Sequence, residues 1–187
     1  ELSKNIEIKE LLNSALRLST LMLIPFIFIG ISFQKLLIPV FFSLEFIEAT
    51  DYLPYHFLGI IFFVWSFVFS QWFTPSGKIK VFGLFRIIYF SINIVVTFYA
   101  VRYFGLYGWM LTFLISPFIF FFVYKAYISN KITFTIDNKN VILMIFLLSG
   151  TILLILLQSL LRMEITSMIL GPILLVCTYF FLNKEEV

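Results

Sequence analysis

The chain has 187 residues, of which 61% are hydrophobic and 12% charged, with a formal net charge of +3. Soluble domains average about 45–50% apolar and about 25% charged residues. The mean hydropathy of +1.06 therefore leaves more apolar surface than a globular core can hide, and lipid must be the solvent for most of the chain. A single histidine, His56, and a single cysteine, Cys177, exclude an intrachain disulfide and give no metal-ligand spacing. Neither a phosphate loop nor a Gly-rich dinucleotide fingerprint is present, so no cofactor and no nucleic-acid partner are expected. The 26 Phe, with Ile, Tyr, Lys and Asn also frequent, suggest an AT-rich coding sequence and a bacterial source.

Residues 1–16 are polar and periodic, with Ile6, Leu12, Ala15 and Leu16 on one face, and predict a cytoplasmic amphipathic lead-in helix. The acid-containing start is too long for a signal peptide, and a chain beginning with Glu is expected to be a segment of a longer protein. Uncharged or nearly uncharged runs then predict transmembrane helices over 18–34, 53–75, 81–101, 103–124, 140–161 and 165–183. Each is close to the roughly 20 residues that cross about 30 Å of hydrocarbon. The short LLIPVFF run after Lys35 is expected to extend the first span until Pro39 bends it, and Glu45, Glu48 and Asp51 mark an aqueous loop. The ten-residue alternation of a β-barrel is missing. The expected fold is all-α, about six spans in one membrane domain covering 1–187.

Charge placement tests that count independently. With the N-terminus cytoplasmic, the inner segments hold Lys4, Lys9, Arg17, Lys78, Lys80, Arg86, Lys125, Lys131, Lys139 and Lys184, against Lys35, Arg102 and Arg162 outside. This 10:3 split follows the positive-inside rule, and a miscount of one span would scramble it. Both ends of the chain are thus expected on the cytoplasmic side of a bacterial inner membrane.

Catalysis finds little support, and the chain is not expected to be an enzyme. No acidic residue lies in a predicted span, and His56 has no evident catalytic partner in sequence. The informative polar residues recur along helix faces: His56, Gly59, Ser66, Ser70 and Thr74 in the second span, Arg86, Tyr89, Asn93 and Thr97 in the third, Gly108, Thr112 and Ser116 in the fourth. Such faces turn away from lipid. Small-residue helix packing accounts for the Gly108 stripe, whereas packing and a water-filled pathway both remain open for the other two. Arg86 lies about one and a half turns inside its span. Two readings stand: it snorkels back to the headgroups, or it faces a cavity and marks a substrate route. The last two spans are nearly apolar all round and are expected at the lipid-facing periphery.

The run from Ala15 to about Tyr127 resembles the C-terminal half of the bacterial polysaccharide and O-antigen flippases, within the multidrug, oligosaccharidyl-lipid and polysaccharide exporter superfamily. The resemblance rests on the lead into ALRLSTLMLIPFIFIG with Pro25 mid-span, on the loop TPSGKIK, and on SINIVVTFYAVRYFGLYGWMLTFLIS, where Asn93, Gly105, Gly108 and Ser116 fall at the family's positions. Trp109 and Met110 stand where that family has small residues. The resemblance implies one lobe of a two-lobe flippase, completed by an N-terminal lobe in the same chain or by a second copy. It implies a lipid-linked oligosaccharide, carried on undecaprenyl pyrophosphate, as substrate and membrane lipids as surroundings. Arg86, Asn93, His56 and Ser70 are the expected substrate-binding residues. A multidrug or cation exporter of the same superfamily, or a non-catalytic membrane subunit of polysaccharide assembly, is the alternative.

The topology has a direct test. Cysteines placed in TPSGKIK, in 131–139 and at the C-terminus, in a background lacking Cys177, should resist an impermeant thiol reagent added to intact cells. Ready labelling of TPSGKIK from outside would reverse the orientation.

Overall fold

The computed structural model describes residues 2–161, 169–176 and 178. Helix is the only regular structure among them: α1 (Leu2–Ser32), α2 (Gln34–Phe41), a 3₁₀ segment Leu44–Asp51, α3 (Leu53–Ser70) followed by a 3₁₀ turn Gln71–Phe73, α4 (Ile79–Phe104), α5 (Leu106–Ile132) and α6 (Asn138–Leu161). Among the described residues, five stretches are long and apolar enough to cross a membrane: Ile6–Ser32, Leu53–Phe73, Ile79–Phe104, Leu106–Ile132 and Asn138–Ser159. The protein is an all-α, multi-pass membrane protein. About half of the sixth expected span, 165–183, lies outside the described residues; within it 169–176 and 178 are described and helical.

Helix ends differ from the sequence expectation in a consistent way. The amphipathic lead-in and the first span form one uninterrupted helix, α1, and α5 runs past Tyr124 through Lys125 and Lys131 to Ile132. Charges mark where water begins, but a helix satisfies its own backbone in either solvent, so it need not stop there. At Thr133 it does stop: φ of 50° puts that residue in the left-handed region, and its N–H donates to Ser129 O at 2.9 Å. The bend expected at Pro39 lies instead at Phe33, between α1 and α2, with Pro39 accommodated inside α2. The reason is tertiary. Gln158 on α6 donates from Nε2 to Ile31 O at 2.8 Å, and the Leu36 and Leu37 N–H groups both turn to Phe33 O at 2.9 Å. An amide side chain has taken the carbonyl that a continuous helix would use.

The chain forms two compact units. The first comprises residues 1–19 and 58–141. Its core is aromatic: Trp65, Phe69, Trp72, Phe73, Phe121 and Tyr124 are all buried, joined by ring contacts such as Phe69–Phe121 at 5.3 Å and Phe73–Tyr124 at 5.7 Å. Aromatic pairs of this kind contribute about 0.5–1.5 kcal/mol beyond area burial. Polar groups that enter the span are used locally: Ser66, Ser70 and Thr112 hydroxyls donate to Phe63 O, Phe67 O and Gly108 O. Gly105, with φ of +60°, breaks α4 from α5 in one residue, and three residues on, a Cβ at Gly108 would overlap the Ala100 carbonyl. Gly59 on α3 similarly approaches the Phe113 carbonyl, which Pro117 four residues later leaves without its helical N–H. Glycine is needed at both positions because backbone stands where the side chain would go.

An amide network ties α1 to the loop before α6. Asn13, 7% exposed, donates to Lys9 O and Thr135 O at 3.2 Å and accepts from the Asp137 N–H at 3.0 Å. Asn140 Nδ2 donates to both Asn13 O and Asn13 Oδ1, at 2.9 and 3.0 Å.

The second unit comprises residues 20–57 and 142–187. Ile24, Ile27, Phe28 and Ile31 of α1 are buried there, as are Leu143, Met144, Leu147, Thr151, Leu154 and Ile155 of α6. Phe28 sits 6.1 Å from Phe146, and its ring edge fills the space beside Gly150. Gln34 donates to Gln158 Oε1 at 3.0 Å, which continues the bridge to Ile31. The fifth span, expected at the lipid-facing periphery, leaves Ile142, Ile145, Ile152, Leu153 and Leu156 exposed and packs one apolar stripe of α6 against protein. In a bilayer, a side chain buried by protein and one buried by lipid can be equally apolar.

Two substitutions check this packing. Gly108→Ala should force α4 and α5 apart and cost about 1–3 kcal/mol. Gly83→Ala, where a Cβ meets nothing within 4 Å, should be neutral or slightly stabilising. Equal thermal unfolding midpoints for Gly108→Ala and wild type in micelles would refute the close contact. Asn13→Leu strips partners from several groups at once, and an unsatisfied buried group costs about 1–3 kcal/mol. Its midpoint should fall well below wild type, and Asn140→Leu added to it should cost less than Asn140→Leu alone. Additive losses would mean that the two amides do not act together.

Candidate functional site

In α4 no residue is fully buried, yet its faces are not equivalent. Phe82, Phe85, Arg86, Tyr89, Asn93 and Thr97 are half-buried at helical spacing, whereas Leu84, Ile87, Phe90 and Ile94 are exposed. The half-buried stripe is the one that meets α5. Phe85 lies 5.7 Å from Tyr124 and 5.4 Å from Tyr127, and Tyr89 stands edge-on to Phe120 at 4.6 Å. Polar and aromatic residues therefore share one seam.

Arg86 lies at the margin of that seam. Its guanidinium is 5.1 Å from the Phe82 ring, one turn nearer the start of the helix, as expected for side chains that lean toward the helix N-terminus. Among the described residues no carboxylate pairs with it. Asn93, two turns further along the same face, donates from Nδ2 to Tyr89 O at 3.2 Å. Beyond it a shallow groove of about 600 Å³ is lined by Thr97, Phe98, Val101 and Arg102.

The other two expected site residues fall elsewhere. Ser70 is 1% exposed and its hydroxyl donates to Phe67 O at 2.6 Å, so it is occupied within its own helix. His56 is half-buried near the start of α3 and belongs to the second unit, whereas Arg86, Asn93 and Ser70 belong to the first. Arg86 and Asn93 are the pair that shares a face. No group of three or more His, Cys, Asp or Glu side chains suited to a metal ion occurs among the described residues.

Sequence reasoning passed over Tyr124, a buried residue whose ring meets Phe73 and Phe85, and the Asn13–Asn140 pair. Tyr124 carried no usable signal in a segment rich in aromatic residues. Asn13 did, because it stands next to Leu12 on a helix whose apolar face is otherwise regular.

No family model matches the chain, and no curated protein and no solved structure matches it either.

Proposed function

We propose that the chain is one lobe of a membrane flippase that moves a lipid-linked, pyrophosphate-bearing oligosaccharide across the bacterial inner membrane. The observation that carries this reading is Arg86. A cation well inside an apolar helix, without a carboxylate partner among the described residues, needs an anion or water. A pyrophosphate passing the cytoplasmic mouth supplies one, through charge-assisted hydrogen bonds to a planar fork. Support comes from Asn93 on the same face, which adds an amide partner suited to sugar hydroxyls. Support also comes from α4 itself, which keeps much of its surface uncovered, as suits a helix lining half of a cavity that another lobe completes. Alternating access then needs only the rocking of lobes about the site. Carrying the headgroup through such a lumen avoids the large cost of placing bare charge and sugar in hydrocarbon.

In a strain carrying only the variant gene, Arg86→Ala should lower surface polysaccharide about tenfold at matched protein levels, the factor expected for one lost charge-assisted hydrogen bond. Arg86→Lys should retain part of the activity. Membrane insertion should be intact in both, since removing a charge eases insertion. Wild-type polysaccharide from Arg86→Ala would leave Arg86 as a snorkelling anchor and remove the basis of the proposal.

A further inference from the structure

The turn joining α3 to α4 holds a second cation in a different manner. Gly77, with φ of +72°, closes the turn: its N–H donates to Thr74 O at 3.1 Å, and the Lys78 N–H reaches back to Phe73 O at 2.9 Å. This paired pattern is the glycine-dependent helix stop known as the Schellman motif. It sets Lys78 Nζ over the Trp72 ring at 4.7 Å, with the Tyr127 ring at 5.9 Å. Lys78 is half-buried, and among the described residues these rings are its only partners. An ammonium seated on rings keeps N–H donors that still need an acceptor.

Three further features converge on this turn. Lys78 caps α4 without a side-chain hydrogen bond and the first turn carries no acid, so the positive end of a 26-residue helix is uncompensated. Lys80 is exposed on that same first turn. Trp72 is 2% exposed with no hydrogen-bond partner for Nε1, and the turn lies at the start of the apolar span Ile79–Phe104, the depth at which flanking lysines meet lipid headgroups. The abundant anion at that depth is a lipid phosphate. Below it, Ile79, Leu84, Ile87 and Ile88 of α4 present an exposed apolar strip, which suits acyl chains and favours a lipid over a free anion.

We infer that the α3–α4 turn binds the phosphate of an anionic phospholipid, with Lys78 as its principal contact. The inference is independent of the flippase reading: a chain that flips nothing would show it equally.

The test uses the purified full chain in phosphatidylcholine nanodiscs, with phosphatidylglycerol titrated in and the thermal unfolding midpoint as readout. Phosphatidylglycerol should raise the wild-type midpoint. Lys78→Gln should need about tenfold more of it for the same rise, the factor expected for one lost charge-assisted hydrogen bond to a phosphate. Lys131→Gln, which removes an exposed charge from the end of α5, should titrate like wild type. Equal weakening in both variants means diffuse surface charge and overturns the site. A rise reproduced by inorganic phosphate in pure phosphatidylcholine means a free-anion site and overturns the lipid. Native mass spectrometry of the wild type needs no variant: phosphatidylglycerol should survive release from the nanodisc bound to the protein, and its loss at the same energy as phosphatidylcholine overturns the proposal.

Discussion

Inside a bilayer, bringing two apolar helices together releases no water, so the hydrophobic effect cannot hold this bundle laterally. What remains is contact quality, and the architecture follows from it. Phe is abundant because a flat, stiff ring gives much dispersion contact for little lost freedom. Glycine at 59 and 108 lets a helix approach another helix's carbonyls. Asn13, Asn140, Gln34 and Gln158 are spent on joints, where they replace a helical hydrogen bond or hold a loop. The hydroxyls of Ser66, Ser70, Thr112 and Thr151 return to their own helix backbone and ask nothing of a neighbour.

How much of this was legible in the sequence follows from the same physics. Helix type and approximate position could be read, because twenty apolar residues in lipid have one way to satisfy their backbone. The close approach at Gly108 could also be read, from its four-residue spacing with Thr112. The end of α5 could not, since Lys125 and Lys131 report water while the helix continues regardless. Nor could the break at Phe33, because its cause, Gln158, lies more than a hundred residues away. The packed stripe of α6 was hidden for a third reason: its Leu and Ile would look the same against lipid.

The candidate site was legible in part. Arg86 and Asn93 announce themselves as polar residues in an apolar run, and they do share a face. Ser70 had the same periodic credentials but is consumed by Phe67 O. Periodicity identifies a face without saying whether its polar groups are available. The two cations on rings differ in a similar way. Arg86 reaches its ring within one helix, at Phe82, whereas Lys78 depends on a turn and on two other helical segments, which only the folded chain brings together.

The amide network at Asn13 has a consequence for assembly. The α4–α5 pair is contiguous in sequence, with one residue at the turn, so it can close as soon as both helices have been made, at little loop-closure cost. Asn13 and Asn140 are 127 positions apart. During synthesis the side chain of Asn13 can donate at once to Lys9 O in its own helix, but its amide partner Asn140 follows only 127 residues later. Helix α1 is therefore not locked in place until α3, α4 and α5 have all been made, and it stays free to adjust its depth while those helices enter the membrane.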